Sequence, residues 1–344
     1  MAKDRKNDWS ERYLPGRRRL LKAGAGILGG AALGMPAIVV HRPALASNWP
    51  TKQVRVVVPY SPGGNADILS RLMAQQLTKQ LGQSFVVENK AGAAATIGAA
   101  DVARAPNDGY NVLTITPTFV ITQYAYAQLP YDGKKDFTPV GVIISSPLVL
   151  VTHPSLNIKT PADYIKAAKA NPGKVSYSSS GAGSVPHLAG ELLKLRANID
   201  ILHVPYKGGG PAITALLSGE VSSYFGTPIE LNDHIKNGRL VAVASTAAKR
   251  TPGLPNLPTM IESGIPDFDL LHFTGFLMRA GTPADTIAKF SNEFQSAKRD
   301  PQLNAKLAAA GDVTEGTVAE ASAMLATAHE RWAPAVKAAN VKFG

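Results

Sequence analysis

The 344-residue chain contains no cysteine. A disulfide framework, a thiol nucleophile and thiolate-held zinc or iron–sulfur sites are therefore excluded. Other chemistry-bearing strings are also missing. There is no GxxxxGK[ST] phosphate loop and no GxSxG nucleophile elbow. The histidines beyond the N-terminal region, at 153, 187, 203, 234, 272 and 329, show no HxH, HExxH or HxxxH ligand spacing. No metal site is expected. Beyond residue 46 no apolar run is long enough to span a bilayer. Acidic residues are outnumbered, with 36 Lys/Arg against 25 Asp/Glu and a formal charge of +11. That excess is concentrated at the start, where residues 1–46 hold 9 Lys/Arg and 3 Asp/Glu. The remainder has 27 and 22, a net charge of +5, with no basic tract or aromatic-interleaved patch. This is a mild bias toward anionic partners, and it argues against nucleic acid.

The N-terminal region itself reads as an export signal. GRRRLLKAG (16–24) precedes a Gly/Ala-rich, moderately apolar stretch, and ALA at 44–46 supplies an A-x-A site. Arg17 and Arg18 with Leu20, Leu21 and Lys22 match the twin-arginine pattern, with Leu20 where Phe is commonest. The alternative, a membrane anchor over Ala23 to Val40, is near minimum length and diluted by glycine. Cleavage before Ser47 and a periplasmic, soluble mature chain are expected. Gly24, Gly26 and Gly29 form a GxGxxG string, but no strand precedes it, so it is signal composition and not a dinucleotide fingerprint.

From Val54 onward β-branched runs alternate with helical patterns. VRVVVPY (54–60) is nearly continuous in apolar residues, as in a strand buried on both faces. Ile68, Leu69, Leu72, Met73, Leu77 and Leu81 then recur at helical spacing, and Gly82 ends the helix. The order continues through SFVVEN, AATIGAADVARA and YNVLTIT. After FTPVGVIISSPLVLVTHP a second series runs through KVSYSS, PHLAGELLKLRA, IDILHVPY, PAITALLSG, VSSYFG and RLVAVAS. The Pro/Gly-rich stretch 250–268 is expected to be a surface connection. LHFTGFLMRAGTP then resembles a strand, followed by amphipathic helices. This alternation predicts an α/β architecture of mostly parallel sheets in two lobes, the last part of the chain returning to the first.

Three strand–glycine–helix turns stand out: PYSPGGNAD (59–67), SSSGAGSVPHL (178–188) and HVPYKGGGPA (203–212). Such turns expose backbone N–H groups and the positive end of a helix dipole at the carboxyl ends of strands. Each alone fits a structural turn, whereas three across two lobes point to a cleft between them. Asp67, in the first helical turn, opposes a dense anionic charge, so a triphosphate is a poor guest. A singly charged carboxylate held by neutral N–H and hydroxyl donors tolerates it. Asp67 reads either as a capping residue or as a group that orients water or accepts an ammonium. Ser184 and Thr96 are hydroxyl donors or plain N-caps. His187 starts a helix beside the second turn and fits a structural hydrogen bond better than ligand contact. Lys207 is a solvated loop lysine or an attractor of carboxylate at the cleft mouth.

Taken in order, VVVPYSPGGNADILSR, VVENKAGAAATIGAADVARAPNDGY, LPYDGKKDFTPV, YSSSGAGSVPHLAGELL, HVPYKGGGPAITALLSGEV, HIKNGRLVAVAST and RAGTPADTI resemble the Bug-type (TctC-like) extracytoplasmic solute receptors of tripartite tricarboxylate transporters. The resemblance covers about residues 49–340. It implies a two-lobed periplasmic binding protein of type II topology, with residues 47–146 and 277–344 in one lobe and 147–276 in the other. It further implies a monomer without cofactor or enzymatic activity that closes around a small carboxylated solute. The solute, a di- or tricarboxylate, an aromatic acid or an acidic amino acid, passes to membrane permease subunits. Carried over by position, one jaw holds Tyr60, Ser61, Gly63, Gly64 and Asp67. The other holds Ser179, Ser180, Gly181, Gly183 and Ser184, with Tyr206 and Lys207 nearby. The distal end of the ligand falls to variable positions, expected at Ala93, Thr96, Thr116, Thr118 and Phe273. Three departures from the family pattern bear on the ligand: Ser61 where a second Pro is frequent, AAAT (93–96) in place of a glycine-richer stretch, and Phe273 where Trp is common. Two other functions fit the same sequence, a periplasmic enzyme acting on a carboxylate and a receptor that feeds a sensor.

Overall fold

The computed structural model describes residues 48–338 apart from 252. The export-signal reading of residues 1–46 lies outside them. The chain begins with β1 (Val54–Val58), α1 (Asn65–Leu81), β2 (Phe85–Asn89), α2 (Thr96–Arg104), β3 (Asn111–Ile115), α3 (Thr118–Ala125) and β4 (Phe137–Pro147). It continues with β5 (Val149–Thr152), α4 (Pro161–Ala170), β6 (Ser176–Ser179), α5 (Val185–Ala197), β7 (Leu202–Pro205), α6 (Gly209–Leu217), β8 (Ser223–Gly226), α7 (Pro228–Lys236) and β9 (Val241–Ser245). It ends with β10 (Leu271–Arg279), α8 (Ala284–Arg299), α9 (Pro301–Ala308) and α10 (Val318–Ala338).

The strands form two five-stranded sheets, ordered β2-β1-β3-β10-β4 and β7-β6-β8-β5-β9. β1 pairs in parallel with β2 and β3, and β6 does so with β7 and β8, as βαβ units require. Both sheets are nevertheless mixed. β10 is antiparallel to β3 and β4, and β5 is antiparallel to β8 and β9. In each sheet the antiparallel strand is the first one laid down after the chain crosses from the other sheet. All of β10, from Leu271, belongs to the first sheet.

Local sequence accounts for these elements. In α1 the side chains of Leu69, Met73 and Leu77 are fully buried at i, i+4, i+8, each contributing about 1.5–3 kcal/mol. Gly82, at φ 65°, closes the helix in the left-handed conformation that glycine adopts without a Cβ penalty. Stretch 250–268 lies mostly at the surface, in line with its reading as a surface connection, but a few of its side chains are anchored inside. Met260, Ile265 and Phe268 are buried, and Phe268 stacks on Phe225 at 6.0 Å between centroids. Proline and glycine set its turns, while its few apolar residues sink into the core.

The two crossings lie side by side and are tied by one residue. Thr246 donates its N–H to the Leu148 carbonyl (2.9 Å) and its Oγ1 accepts from the Leu148 N–H (2.9 Å). The same hydroxyl donates to the Leu270 carbonyl (2.6 Å), and the Thr246 carbonyl accepts from the Leu270 N–H (3.1 Å). Thr246 is wholly buried.

Candidate functional site

The carboxyl ends of four parallel-paired strands converge on one cleft between the sheets. Tyr60 follows β1, Thr116 follows β3, Ser180 follows β6 and Thr227 follows β8, and all four line it. Gly64, Asn65 and Ala66 bring in the start of α1, and Leu148 and His272 come from beside the crossings. Gly209, Tyr224 and Glu230 complete the far wall.

The first turn is braced from within its own lobe. Asp67 is 4% exposed, and its carboxylate accepts from the Gly63 N–H (3.0 Å), Arg71 Nε (3.0 Å) and Asn89 Nδ2 (2.9 Å). Burial pushes its pKa up, but hydrogen bonds from Arg71, Gly63 and Asn89 outweigh this and hold it below the usual carboxylate range. Asp67 thus shapes the turn, with both oxygens occupied. The Tyr60 hydroxyl meets Thr116 Oγ1 at 2.7 Å. Burial raises the Tyr60 pKa, partly offset by hydrogen bonding to Thr116 and Thr118. Beside it, Ala93, Ala94 and Ala95 all adopt positive φ (44°, 49° and 73°). Such left-handed backbone costs roughly 1–2 kcal/mol per L-residue. Ala95 packs with Tyr60 and Ala66, so this strained turn forms part of the wall behind Tyr60. Thr96 is buried and donates to the Ala93 carbonyl (2.8 Å), which is not an N-cap.

The second turn is braced by aromatic rings. Ser179 Oγ lies 2.7 Å from His203 Nε2, and the Gly183 N–H donates to His187 Nδ1 (3.0 Å). His187 and His203 stack at 4.0 Å, and His203 stacks on Tyr177 at 5.0 Å. Burial, together with the neighbouring imidazole, takes His203 down to about 4, and burial lowers His187, so the stack is uncharged near neutrality. Ser184 is the N-cap of α5, its Oγ accepting from the His187 N–H (3.4 Å). Gly181 and Gly183 have φ of 127° and 75°, conformations that favour glycine.

The third turn meets the first directly. Ser61 donates its N–H to the Lys207 carbonyl (3.0 Å). A Cβ on Gly64 would stand 3.1 Å from the Gly209 nitrogen, and one on Gly210 would overlap the Pro62 carbonyl at 2.1 Å. The Lys207 side chain is exposed, and Tyr206 donates to Glu220 (2.8 Å) beside an outer groove shared with Pro62 and Gly63.

Glu230 bridges the sheets. Its buried carboxylate accepts from the Asn65 N–H (2.7 Å) at the start of α1 and from the Thr227 N–H (2.9 Å) and Tyr224 hydroxyl (3.1 Å) of its own lobe. Burial raises its pKa despite these donors. Asn65 also spans the gap, donating Nδ2 to Thr274 (2.6 Å) and accepting from Thr227 Oγ1 (3.1 Å). Sequence reading missed Glu230. The string Thr227-Pro-Ile-Glu230 is a capping box and marks the start of α7, but nothing local reveals a reach to Asn65.

Of the positions expected at the distal end of the ligand, Thr116 lines the cleft, and Thr118 is buried beside Tyr60. Phe273 is packed in the apolar core. Adjacent strand residues face opposite ways, and it is the neighbouring His272 that turns toward the cleft. Among the described residues no cluster of His, Asp or Glu could hold a metal ion, and no helix is long and apolar enough to cross a membrane.

The family model described as tripartite tricarboxylate transporter family receptor, TctC, matches residues 69–341. The chain belongs to that family. It is 32% identical over 307 residues to protein BugT of Bordetella pertussis, covering 88% of this chain and 94% of BugT. The structure of the periplasmic binding protein BugD superposes with a TM-score of 0.82 at 31% identity, over 86% of this chain and 99% of BugD. Rpa4515 of R. palustris, solved with adipate, superposes with a TM-score of 0.81 at 32% identity, over 85% and 98%. The chain is thus a Bug-type, TctC-like receptor, and its family is one of binding proteins without enzymatic activity. The two mixed α/β sheets are those of periplasmic binding proteins.

Proposed function

We propose that this receptor is periplasmic, exported by its twin-arginine-type signal, and captures a small carboxylate by closing its two lobes before handing it as a monomer to a tripartite tricarboxylate-type permease. The observation that carries this reading is the cleft's chemistry. The Asn65 N–H at the start of α1 is taken by Glu230 (2.7 Å), but Gly64 and Ala66 on either side of it border the same space as Ser180 and the turn that follows it, bringing backbone N–H groups at a helix start to the cleft. The acid in the wall, Glu230, is tied down by three donors. Neutral donors and a helix dipole suit one carboxylate and leave room for bridging water. The adipate in Rpa4515 supports the same ligand class.

The two jaws are residues 59–67 and 178–184. Tyr60, Gly64, Thr116 and Ser180 are assigned to the ligand, while Ser61, Gly63, Asp67, Ser179, Gly181, Gly183, Ser184, Thr96 and Thr118 shape the loops that present them. Tyr206 and Lys207 belong to the mouth. Closure follows from differential affinity, since contacts from both jaws form only when the lobes meet. The lobes divide at the two crossings, near 147 and between 246 and 270.

A thermal-shift panel of mono-, di- and tricarboxylates, aromatic acids and acidic amino acids tests the assignment. A ligand at 100 times its Kd adds about 2.7 kcal/mol of stability, a few degrees in Tm. A neutral sugar or a nucleotide that shifts Tm, with no carboxylate doing so, overturns it.

A further inference from the structure

Among the described residues, the buried polar side chains that line the cleft are matched to protein partners, His272 apart. Tyr60 and Thr116 satisfy each other (2.7 Å), Asn65 is held by Thr274 and Thr227, and Glu230 is held by Asn65, Thr227 and Tyr224. His272 is different. It is 9% exposed, lines the cleft, and neither of its ring nitrogens has a hydrogen-bond partner. A buried imidazole carries one donor and one acceptor, and leaving both unmet is costly. A residue that served only to pack this wall would be apolar, as Leu148 is. Burial alone takes the ring's pKa down to about 4, so it presents a neutral N–H and a lone pair.

We propose that His272 receives a second polar group of the bound solute, and that the solute is a dicarboxylate. The inference rests on the carboxylate reading above. One carboxylate takes the Gly64 and Ala66 N–H groups at the start of α1 together with Ser180, the Asn65 N–H being held by Glu230. The other end then reaches the crossing side of the cleft, where His272 stands at the start of β10 and donates its N–H to a carboxylate oxygen. A monocarboxylate of the same length leaves that N–H unpaired. A site built around a buried donor rejects the analogue that lacks the acceptor, so His272 separates diacids from monoacids.

Matched pairs of probes test this: succinate and butanoate, glutarate and pentanoate, adipate and hexanoate, titrated calorimetrically against the full mature protein. The wild type is expected to bind at least one diacid at least tenfold more tightly than its monoacid. His272→Phe should cut that ratio at least tenfold while moving the monoacid Kd less than threefold. His272→Gln, which keeps a donor, should restore part of the ratio. A general structural role would weaken both members of a pair alike and leave the ratio unchanged, which overturns the proposal. Equal binding of diacid and monoacid by the wild type also overturns it, while leaving the carboxylate reading intact. If none of these six acids binds, this inference is overturned, and the wider panel above decides the carboxylate reading separately. Should neither variant fold, a crystal structure of the wild type with the tightest diacid decides. A distal oxygen within hydrogen-bond distance of a His272 nitrogen supports the proposal, and a ring without such a contact overturns it.

Discussion

The two glycine turns that face each other across the cleft are held in opposite ways. The turn at 61–64 is fixed by charge: a buried carboxylate, Asp67, gathers a backbone N–H, a guanidinium and an amide. The turn at 180–184 is fixed by uncharged rings, His187 and His203 stacked face to face with Tyr177 behind them. The first arrangement gains strength from ionisation, while the second requires that ionisation be absent. The two halves of the proposed binding site should therefore respond differently to substitution, to the loss of the bridge between them and to acid.

The largest effect is expected from substitution where the turns close on one another. Gly64→Val places a branched side chain within 3.1 Å of the Gly209 backbone, blocking approach without disturbing either lobe. Carboxylate binding measured by calorimetry should fall more than 100-fold at unchanged Tm. Gly183→Val also abolishes binding but acts through a φ of 75°, so it should lower Tm by a degree or more as well. Equal affinity to wild type in both variants refutes the two-jaw arrangement.

An intermediate effect is expected from Glu230→Gln. The substitution removes charge-assisted acceptance from the Asn65 N–H, a bond worth about 1.5–3 kcal/mol when one partner is ionised. Since that bond joins the lobes, closure becomes less favourable, and the apparent Kd should rise roughly 10- to 100-fold for every ligand. Small-angle scattering of the ligand-free variant should show a larger radius of gyration. A Kd change confined to one ligand would mean that Glu230 contacts the solute instead.

The smallest effect is expected from pH. The folded pKa of His203, about 4, lies below the ordinary 6.5, and His187 is lowered too. The unfolded chain then binds more protons between those limits, so the stabilisation from the ring stack is complete above pH 6.5 and is lost as pH falls toward 4. Asp67 is shifted below 3.8, and its contribution persists until pH falls below that value. His272 titrates in the same range as His203, so a local readout is required. Amide exchange at Gly183, whose N–H donates to His187, should speed up several-fold between pH 7 and 5 after correction for intrinsic rates. The Gly63 amide should not change, and parallel behaviour of the two amides would remove the distinction.

Much of this architecture is legible in the chain. The alternation of apolar strands with helical spacing locates most strands of both sheets to within a few residues, but it does not divide FTPVGVIISSPLVLVTHP into β4 and β5. The three glycine turns are likewise visible, because positive φ and close backbone approach leave glycine as the workable residue. What stays hidden are contacts between distant segments. Glu230 reads as an ordinary capping residue because its partner Asn65 lies 165 positions away. His272 is a lone histidine in a strand, and only the pairing of β10 decides that it, and not Phe273, faces the cleft. The Pro/Gly-rich stretch at 250–268 is legible as a largely exposed connection, but turn-forming residues say nothing about where Met260 and Phe268 are stored.

Thr246 has a mechanical consequence. It laces Leu148 and Leu270 together, so that the two crossings cannot slide past one another without breaking buried hydrogen bonds. In the proposed closure this coupling favours hinge rotation over sliding of the lobes. Occupancy of the buried cleft would then reach the outer face, and the proposed permease, as a rotation of one lobe against the other.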